Sequence, residues 1–464
     1  VARPGSNLGS SRDAALAVVR TLVGGGHVAY FAGGCVRDEL LGLTPEDYDV
    51  ATDATPDRVR SLFPRSQEVG AAFGVMLVRA STPSGRVFTI EVATFRSDGT
   101  YTDRRRPDQV HFSDPVADAN RRDFTINAMF LDPLAGEAGA PLRSPPHPSP
   151  PSPPVPPPGL IDHVGGLADL RVGVIRAVGD PEKRLAEDHL RALRAVRFAS
   201  RFGFRVDPGT ADAIRRHASD LLGVSRERIG DEVRRLMASP SRAAAARLLD
   251  ELALDAPTLA EPPGDGAGAK SGVEAGGSGP AAGYPLLSGL TEAPPPPLHT
   301  CLAAWALDRP APPSPAPLLL HLHPEAISDV VARWRTALCL SNEERDGFSC
   351  VLSTLAALLA GWENTTTASQ KRLAGGPCFS EALRLLRAVD PGRATFAMAL
   401  HARLAATPSG ICPTPLLSGD DLIAMGLPPG PAFRRLLDSV YDAQLEDRVS
   451  NNEEARELAR RLGV

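Results

Sequence analysis

The chain has 464 residues, 43% hydrophobic and 23% charged, a balance that excludes whole-chain disorder and leaves room for roughly two to four packed units. Its 45 prolines and 42 glycines approach one residue in five, against a usual ~12%, so part of the chain lies outside regular structure. The formal charge of −5 excludes a global field that would draw in polyanions, although local basic patches can hide inside a small total.

Apolar residues at helical spacing over 10–23 predict a helix ending at Gly24, Gly25 and Gly26, after which 27–32 reads as a buried strand. Gly33 and Gly34 break that strand. Residues 36–41 then predict a short helix, 48–51 a strand, and 56–63 a helix capped by Thr55. A strand pair is expected at 75–79 and 87–95, joined by Pro83, Ser84 and Gly85, so the first 130 residues form a small α/β unit.

Ten of the fifteen residues in 144–158 are proline, an extended segment that cannot build a core and serves as a linker or inserted loop. From 181 to 254 the sequence turns helical and arginine-rich: residues 182–248 hold 15 basic and 9 acidic groups, a net +6. Residues 256–297, rich in Gly, Ala and Pro, read as a flexible insertion. Helical patterns return at 299–307 and from 327 onward, through 352–359 and 380–406. A last segment, 416–462, has helix starts at Ser418 and Pro431.

The chemistry concentrates near the start. A glycine pair between strand and helix, Gly33-Gly34, lets backbone N–H groups approach phosphate oxygens, and Arg37, one turn on, can clamp the same group. Asp47 and Asp49 are two apart on an apparent strand, so they share a face and can jointly hold magnesium. Glu91, alone in the apolar run Phe88-Thr89-Ile90-Glu91-Val92, is the candidate third carboxylate, because a strand carboxylate is costly without a partner. Arg191, Arg194, Arg197 and Arg201 form one helical stripe, which like-charge repulsion disfavours unless anions answer it; phosphate is the expected answer. Of the 50 basic residues 47 are arginines, whose planar forks suit phosphate.

The order Gly-Gly, Arg37-Asp38, Asp47-Tyr48-Asp49 resembles the head domain of the class II tRNA nucleotidyltransferase and bacterial poly(A) polymerase family, a branch of the polymerase-beta-like nucleotidyltransferases. The resemblance continues through Thr94-Phe95-Arg96, Tyr101, Arg105-Arg106-Pro107 and Arg121-Arg122-Asp123-Phe124-Thr125-Ile126-Asn127-Ala128. It then takes in Asp162-His163-Val164-Gly165-Gly166, Asp169-Leu170 and Glu187-Asp188-His189-Leu190-Arg191. It implies an α+β protein: a nucleotidyltransferase head of mixed sheet and helices, followed by an all-helical neck, body and tail. The implied divisions are a head over 1–160 with a Pro-rich insert about 137–158, a neck over 161–255 for nucleotide base and RNA, the insertion 256–297, a body 298–406 and a tail 407–464 that binds tRNA.

The resemblance also implies roles. Gly33, Gly34 and Arg37 would bind triphosphate, Asp47 and Asp49 would hold Mg2+, and Arg122, Asp123 and Asn127 would contact the nucleotide. Asp188 and Arg191 would read the base as an amino-acid template, since a carboxylate and a guanidinium can meet the Watson–Crick edges of cytosine and adenine, and Arg194 and Arg197 would also bind the nucleotide. The implied reaction is template-independent addition of CCA to the 3′ end of tRNA from CTP and ATP by two-metal phosphoryl transfer. The alternatives are a poly(A) polymerase, an enzyme adding only CC or only A, and, in another class, a non-catalytic RNA-binding relic, which would be expected to lack a metal carboxylate. Some relatives carry a phosphohydrolase domain with a His-Asp dipeptide; none occurs here, so no attached phosphatase activity is expected.

Other features carry less. Six cysteines without a CxxC pair argue against structural zinc or a disulfide scaffold, and Cys35 reads as a packing residue. His321 and His323 read as non-ligands. The tail, with Leu417-Ser418-Gly419-Asp420-Asp421-Leu422, also resembles the family's C-terminal region, although residues 416–462 carry a net −3. With no apolar run of about 18 residues and no signal-peptide pattern after Val1, a cytoplasmic protein with no membrane association is expected, monomeric or homodimeric.

Overall fold

The computed structural model describes residues 10–69, 74–82, 84–98, 110–135, 156–261, 283–291, 293–309, 322–427, 430 and 432–463. These divide into two compact units, Val1–Val224 with Leu248–Pro257, and Ser225–Arg247 with Thr258–Val464.

In the first unit α1 (Ser11–Gly24) starts from a capping box in which Ser10 and Asp13 satisfy each other's backbone N–H groups. Its Ala14, Ala15, Val18, Val19 and Leu22 recur at helical spacing and are buried, so one face covers the sheet. Strands β1 (Ala29–Ala32), β2 (Asp49–Thr52), β3 (Gln67–Glu68), β4 (Val75–Ser81) and β5 (Val87–Thr94) join β8 (Phe130–Leu131) and β9 (Leu160–Ile161) in one mixed sheet. The short β6 (Arg96–Asp98) and β7 (Val110–Phe112) pair apart from it. The sheet order is β3-β4-β5-β2-β1-β8-β9, antiparallel except for the parallel pair β2·β5.

Between β1 and β5 lie α2 (Gly34–Leu40) and α3 (Pro56–Leu62); between β7 and β9 lies α4 (Pro115–Asn120). Then α5 (Gly166–Val172), α6 (Pro181–Glu187), α7 (Arg191–Phe202) and α8 (Pro208–Arg216) follow, with a small parallel pair, β10 (Val174–Ile175) and β11 (Arg205–Val206). Thus an α/β head leads into helices, the α+β class expected.

The second unit is helical among its described residues. Trp305 and Trp334 meet edge-on with centroids 5.0 Å apart, and Phe348 lies 5.5 Å from Trp334, giving an aromatic centre. Leu417, Leu422, Val440, Ala443 and Leu458 form a separate buried cluster in the last helices. No helix among the described residues is long and apolar enough to cross a membrane.

Three local expectations differ from what forms. The single helical run expected over 380–406 is two helices, Phe379–Val389 and Pro391–Ala405. Pro391 has no N–H to continue the ladder, and the Asp390 carboxylate instead accepts the Arg393 N–H at 2.9 Å. The insertion expected to be flexible over 256–297 is ordered at its ends: Leu259, Leu286, Leu287 and Leu290 are buried, and the Asp308 carboxylate accepts the N–H groups of Leu286 and Leu287 at 3.1 and 3.0 Å. Apolar side chains and a buried cap outweigh the composition there, while 262–282 lies outside the described residues. Finally, β2 starts at Asp49, so Asp47 precedes the strand instead of standing in it. The remainder of the Pro-rich stretch before residue 156, Tyr101, Arg105, Arg106, Pro107 and His321 also lie outside the described residues, whereas the His323 ring accepts the Ala326 N–H at 3.2 Å and caps a helix.

Candidate active site

Backbone register assembles the candidate site, which lies wholly in the first unit. Ala32, the last residue of β1, pairs with Asp49, and Asp49 pairs in parallel with Glu91. Parallel partners share a face, and the neighbouring Val50 and Val92 are buried on the opposite one, so Asp49 and Glu91 stand side by side at the point where the Gly33-Gly34 loop leaves the sheet. Tyr48 is buried and Asp47 exposed, so the alternation extends one step before the strand and places Asp47 on the carboxylate face.

Gly33 holds φ +73° and ψ −119°, a region that disfavours side chains, and a Cβ there would sit 2.8 Å from Arg122 Nη1. Its N–H donates to the Met129 carbonyl at 3.1 Å, which fixes the loop to the strand that pairs with β1 on the other side. Cys35, in the first turn of α2, is buried, and burial pushes its thiol up to about 12, so it packs and does not ionise near neutrality.

Three neighbouring carboxylates need positive charge. Lost hydration first, then the charges of Glu91 and Asp47, push the Asp49 carboxyl up to about 7, with Arg122 opposing. Glu91 is raised as well, by lost hydration and then by Asp47, with Arg96 opposing. Oxygen-only donors in which repulsion raises a carboxyl suit a hard divalent cation such as Mg2+, whose charge would relieve that repulsion.

Beside them the 121–127 segment forms a bonded frame. Buried Asp118 accepts from Arg121 Nε at 2.8 Å and from Arg122 Nε and Nη2 at 3.1 and 3.0 Å, and Arg122 Nη1 also donates to the Asn127 carbonyl at 3.1 Å. Burial alone would raise the Asp118 carboxyl; Arg122 and Arg121 hold it below its ordinary value. Asp123 accepts from Arg194 Nε and Nη2 at 2.8 and 2.6 Å, from Asn127 Nδ2 at 3.2 Å and from the Phe124 N–H at 2.8 Å. These donors outweigh burial and hold Asp123 at about 2.

The arginines depart from expectation in two ways. Arg37 is buried, donating from Nε to Asp38 at 2.8 Å and from Nη1 to Asn127 Oδ1 at 2.5 Å, with its guanidinium 5.1 and 4.8 Å from the Phe198 and Phe202 ring centroids. It braces the loop to α7 while its Nη2 stays beside the glycines, 3.6 Å from where a Cβ of Gly34 would sit. The stripe expected to be unpaired on α7 is largely answered by the protein itself: Arg191 donates to Glu187 at 2.5 Å, Arg194 to Asp123, and Arg201 to Asp38 at 3.4 Å. Glu187 comes from four residues earlier, whereas Asp123 and Asp38 come from the sheet domain, a tertiary supply invisible to helical spacing. Arg197 lies 4.3 Å over the Phe198 ring.

Asp188 ends α6, with its Oδ1 accepting the Leu190 N–H at 3.1 Å, and so stands at the turn into α7 that begins with Arg191. Asp118, Phe198 and Phe202 were not among the expected residues, and Asp38 was named in the motif without a role. The four-residue spacing from Asp118 to Arg122 is a signal that could have found one of them; the two rings carry none beyond ordinary core periodicity.

Two family models match: the poly A polymerase head domain over residues 29–176, and a probable RNA and SrmB-binding site of polymerase A over 203–259. The CCA-adding enzyme of Geobacillus stearothermophilus is 40% identical over 243 residues, 52% of this chain and 53% of that protein. Over such matches the chain spans about half the length of its curated relatives. The CCA-adding enzyme of Limosilactobacillus fermentum is 30% identical over 430 residues, 92% of this chain and 91% of that protein. Among solved structures, that of the Bacillus stearothermophilus CCA-adding enzyme in complex with CTP superposes with a TM-score of 0.69 at 26% identity, covering 98% of each chain. The Thermotoga maritima CCA-adding enzyme complexed with tRNA shares the fold at TM-score 0.60 and 18% identity, over 96% of this chain and 94% of that one.

Proposed function

The chain belongs to the CCA-adding enzyme family, and from that premise we propose that it adds C, C and A in turn to the 3′ end of tRNA, from CTP and ATP and without a nucleic-acid template. The observation that supports this most is the register that stands Asp49 beside Glu91 at the mouth of the Gly33-Gly34 loop, with Asp47 on the same face.

Asp47 and Asp49 would hold Mg2+, which when bound supplies Lewis-acid stabilisation of the charge developing on the reacting phosphate oxygens. Glu91 adds the third negative charge, raising the affinity of this face for cations. With no side chain at Gly33, Arg122 Nη1 packs against the loop, and Arg122, held by Asp118, presents a fixed positive charge to the triphosphate at the sheet edge. Asp123 stays ionised and ties Arg194 to the 121–127 segment, so α7 is fixed relative to the carboxylates and the base-reading turn at Asp188 is positioned with it. Asp188 accepts from an exocyclic amino group and Arg191 donates to a ring acceptor, a pairing that cytosine and adenine satisfy and that guanine and uracil do not. Holding the RNA 3′-hydroxyl and the triphosphate in one orientation supplies much of the remaining rate. In the cell the protein is expected in the cytoplasm, in keeping with these proposed substrates.

The test uses tRNA ending before CCA, tRNA ending in CC, and unstructured RNA, each with CTP and ATP singly and together. The expected result is two C additions with CTP alone, one A on the CC end with ATP, and arrest at CCA. Long A tails on unstructured RNA would refute the assignment in favour of poly(A) synthesis, and a block at either stage would identify a partial enzyme. Asp47→Ala should abolish every addition while tRNA binding persists in a gel-shift assay; a catalytically silent wild-type chain that binds tRNA would mark an RNA-binding relic. Asp188→Ala should blur the choice among the four triphosphates more than it slows transfer, measured as the ratio of kcat/KM values.

A further inference from the structure

The first unit carries a second cluster of ligating groups, away from the carboxylates of the sheet. Glu182 stands in the first turn of α6, His189 in the turn between α6 and α7, His217 at the C-terminal cap of α8, and Asp220 in the 3-10 turn Ala218–Gly223. His217 Nδ1 lies 2.8 Å from Asp220 Oδ2, and His189 Nε2 lies 3.9 Å from the same oxygen. The imidazole centroids are 5.8 Å apart. One ligand atom from each of His189, His217 and Asp220 falls within 4.8 Å of the other two, the single such group of three among the described residues.

The other nitrogen of His217 completes the pattern. Its Nε2 is 2.6 Å from Glu182 Oε2, and Glu182 Oε1 in turn accepts from Arg216 Nε at 2.7 Å. A metal-binding imidazole characteristically gives its second N–H to a carboxylate, which fixes the tautomer and turns the free nitrogen toward the ion. Here Glu182, anchored by Arg216, leaves Nδ1 as the nitrogen facing Asp220. His189, 4% exposed, contributes a ligand from the buried side, while Asp220 stays within reach of solvent.

We propose that His189, His217 and Asp220 form a three-ligand site for a divalent first-row transition ion, with Zn2+ the fitting occupant, in which Glu182 orients His217 through its second ring nitrogen. Two imidazoles and one carboxylate suit an ion of intermediate softness with bonds of about 2.0–2.2 Å, and leave a fourth position for water. The hard ion suited to Asp47 and Asp49 has no preference for such nitrogens, so the two sites differ in chemistry as well as place. The ligands join three elements, the α6–α7 turn, the end of α8 and the turn after it. An ion here would therefore tie the turn carrying Asp188 to α8.

The test is calorimetric titration of the chelator-stripped 464-residue chain with Zn2+ in excess Mg2+, which occupies oxygen-only sites. One equivalent of Zn2+ should bind. His217→Ala, Asp220→Asn and His189→Gln should each weaken it tenfold or more, Glu182→Gln by about tenfold, and Asp47→Ala not at all. Circular dichroism of the metal-free variants controls for folding. For any variant that fails to fold, the wild-type protein decides: zinc should shift two histidine imidazole 15N resonances, and Co2+ should give the intense visible bands of a four-coordinate site. Absence of zinc uptake over magnesium, uptake indifferent to all three ligand variants, or unshifted histidine resonances would each overturn the proposal.

Discussion

At Gly33 one missing methyl group decides the site. The backbone there holds φ +73°, and the space a Cβ would take is filled by Arg122 Nη1 at 2.8 Å. Gly33→Ala should therefore cost roughly 1–3 kcal/mol through backbone strain alone and displace Arg122 as well. The expected outcome is a lower Tm together with a raised KM for both triphosphates. An unchanged KM would mean that the arginine does not face the nucleotide. The residue pairs of the site follow the same logic: Asp123 is ionised because Arg194, Asn127 and the Phe124 N–H aim at it, whereas Asp49 resists ionisation because burial strips its hydration and its nearest companions are carboxylates.

Among the elements, the helix Asn342–Leu359 shows how one side chain can serve two ends. Glu344 closes the capping box with Ser341, and it also pairs with Arg234 on the helix Arg226–Ala238, from Nε at 2.8 Å and Nη2 at 2.9 Å. These donors hold the Glu344 carboxyl at about 2, below its ordinary 4.5. A carboxyl depressed by folding contributes stability that is present above its unfolded pKa and is lost as the pH falls toward its folded one. Glu344→Gln should thus lower Tm at neutral pH and flatten the loss of stability between pH 4.5 and about 2, as read from thermal melts across that range. A variant melting curve that falls in parallel with wild type would remove the assignment.

Over the whole molecule, charge is a matter of placement. The total of −5 coexists with a net +6 over 182–248, and several of those arginines already face protein carboxylates, so the charge left for RNA is less than the count. The logarithm of the affinity for the proposed tRNA substrate should still fall linearly with the logarithm of salt concentration, because phosphate contacts release counterions. If Arg197 meets phosphate, Arg197→Ala should reduce the magnitude of that slope by about 1, measured by filter binding across a salt series. An unchanged slope would assign Arg197 a role within the fold and not on the RNA.

Much of this was legible in the amino-acid order. Helical and strand periods located α1, β1, β2, β4 and β5 nearly to the residue, because those elements bury one face against a core and the pattern of burial is written locally. The Gly-Gly pair, the alternate aspartates and the lone strand glutamate were legible for the same reason, as departures from that pattern. Pairing could not be read locally. That Asp49 lies beside Glu91, that Arg37 is clasped by Asp38 and Asn127, that three of the α7 arginines are answered by carboxylates, and that His189, His217, Asp220 and Glu182 converge all depend on residues brought together across 30 to 160 positions or around turns whose direction no period specifies. Likewise, the apolar leucines at 286, 287 and 290 read in sequence as part of a flexible insert, whereas buried Asp308 accepts the N–H groups of Leu286 and Leu287 and anchors that turn. Sequence determined which residue types were available and which faces they occupied; the tertiary fold decided which charges meet, because an ion pair or a metal site is set by distance in space and not by spacing along the chain.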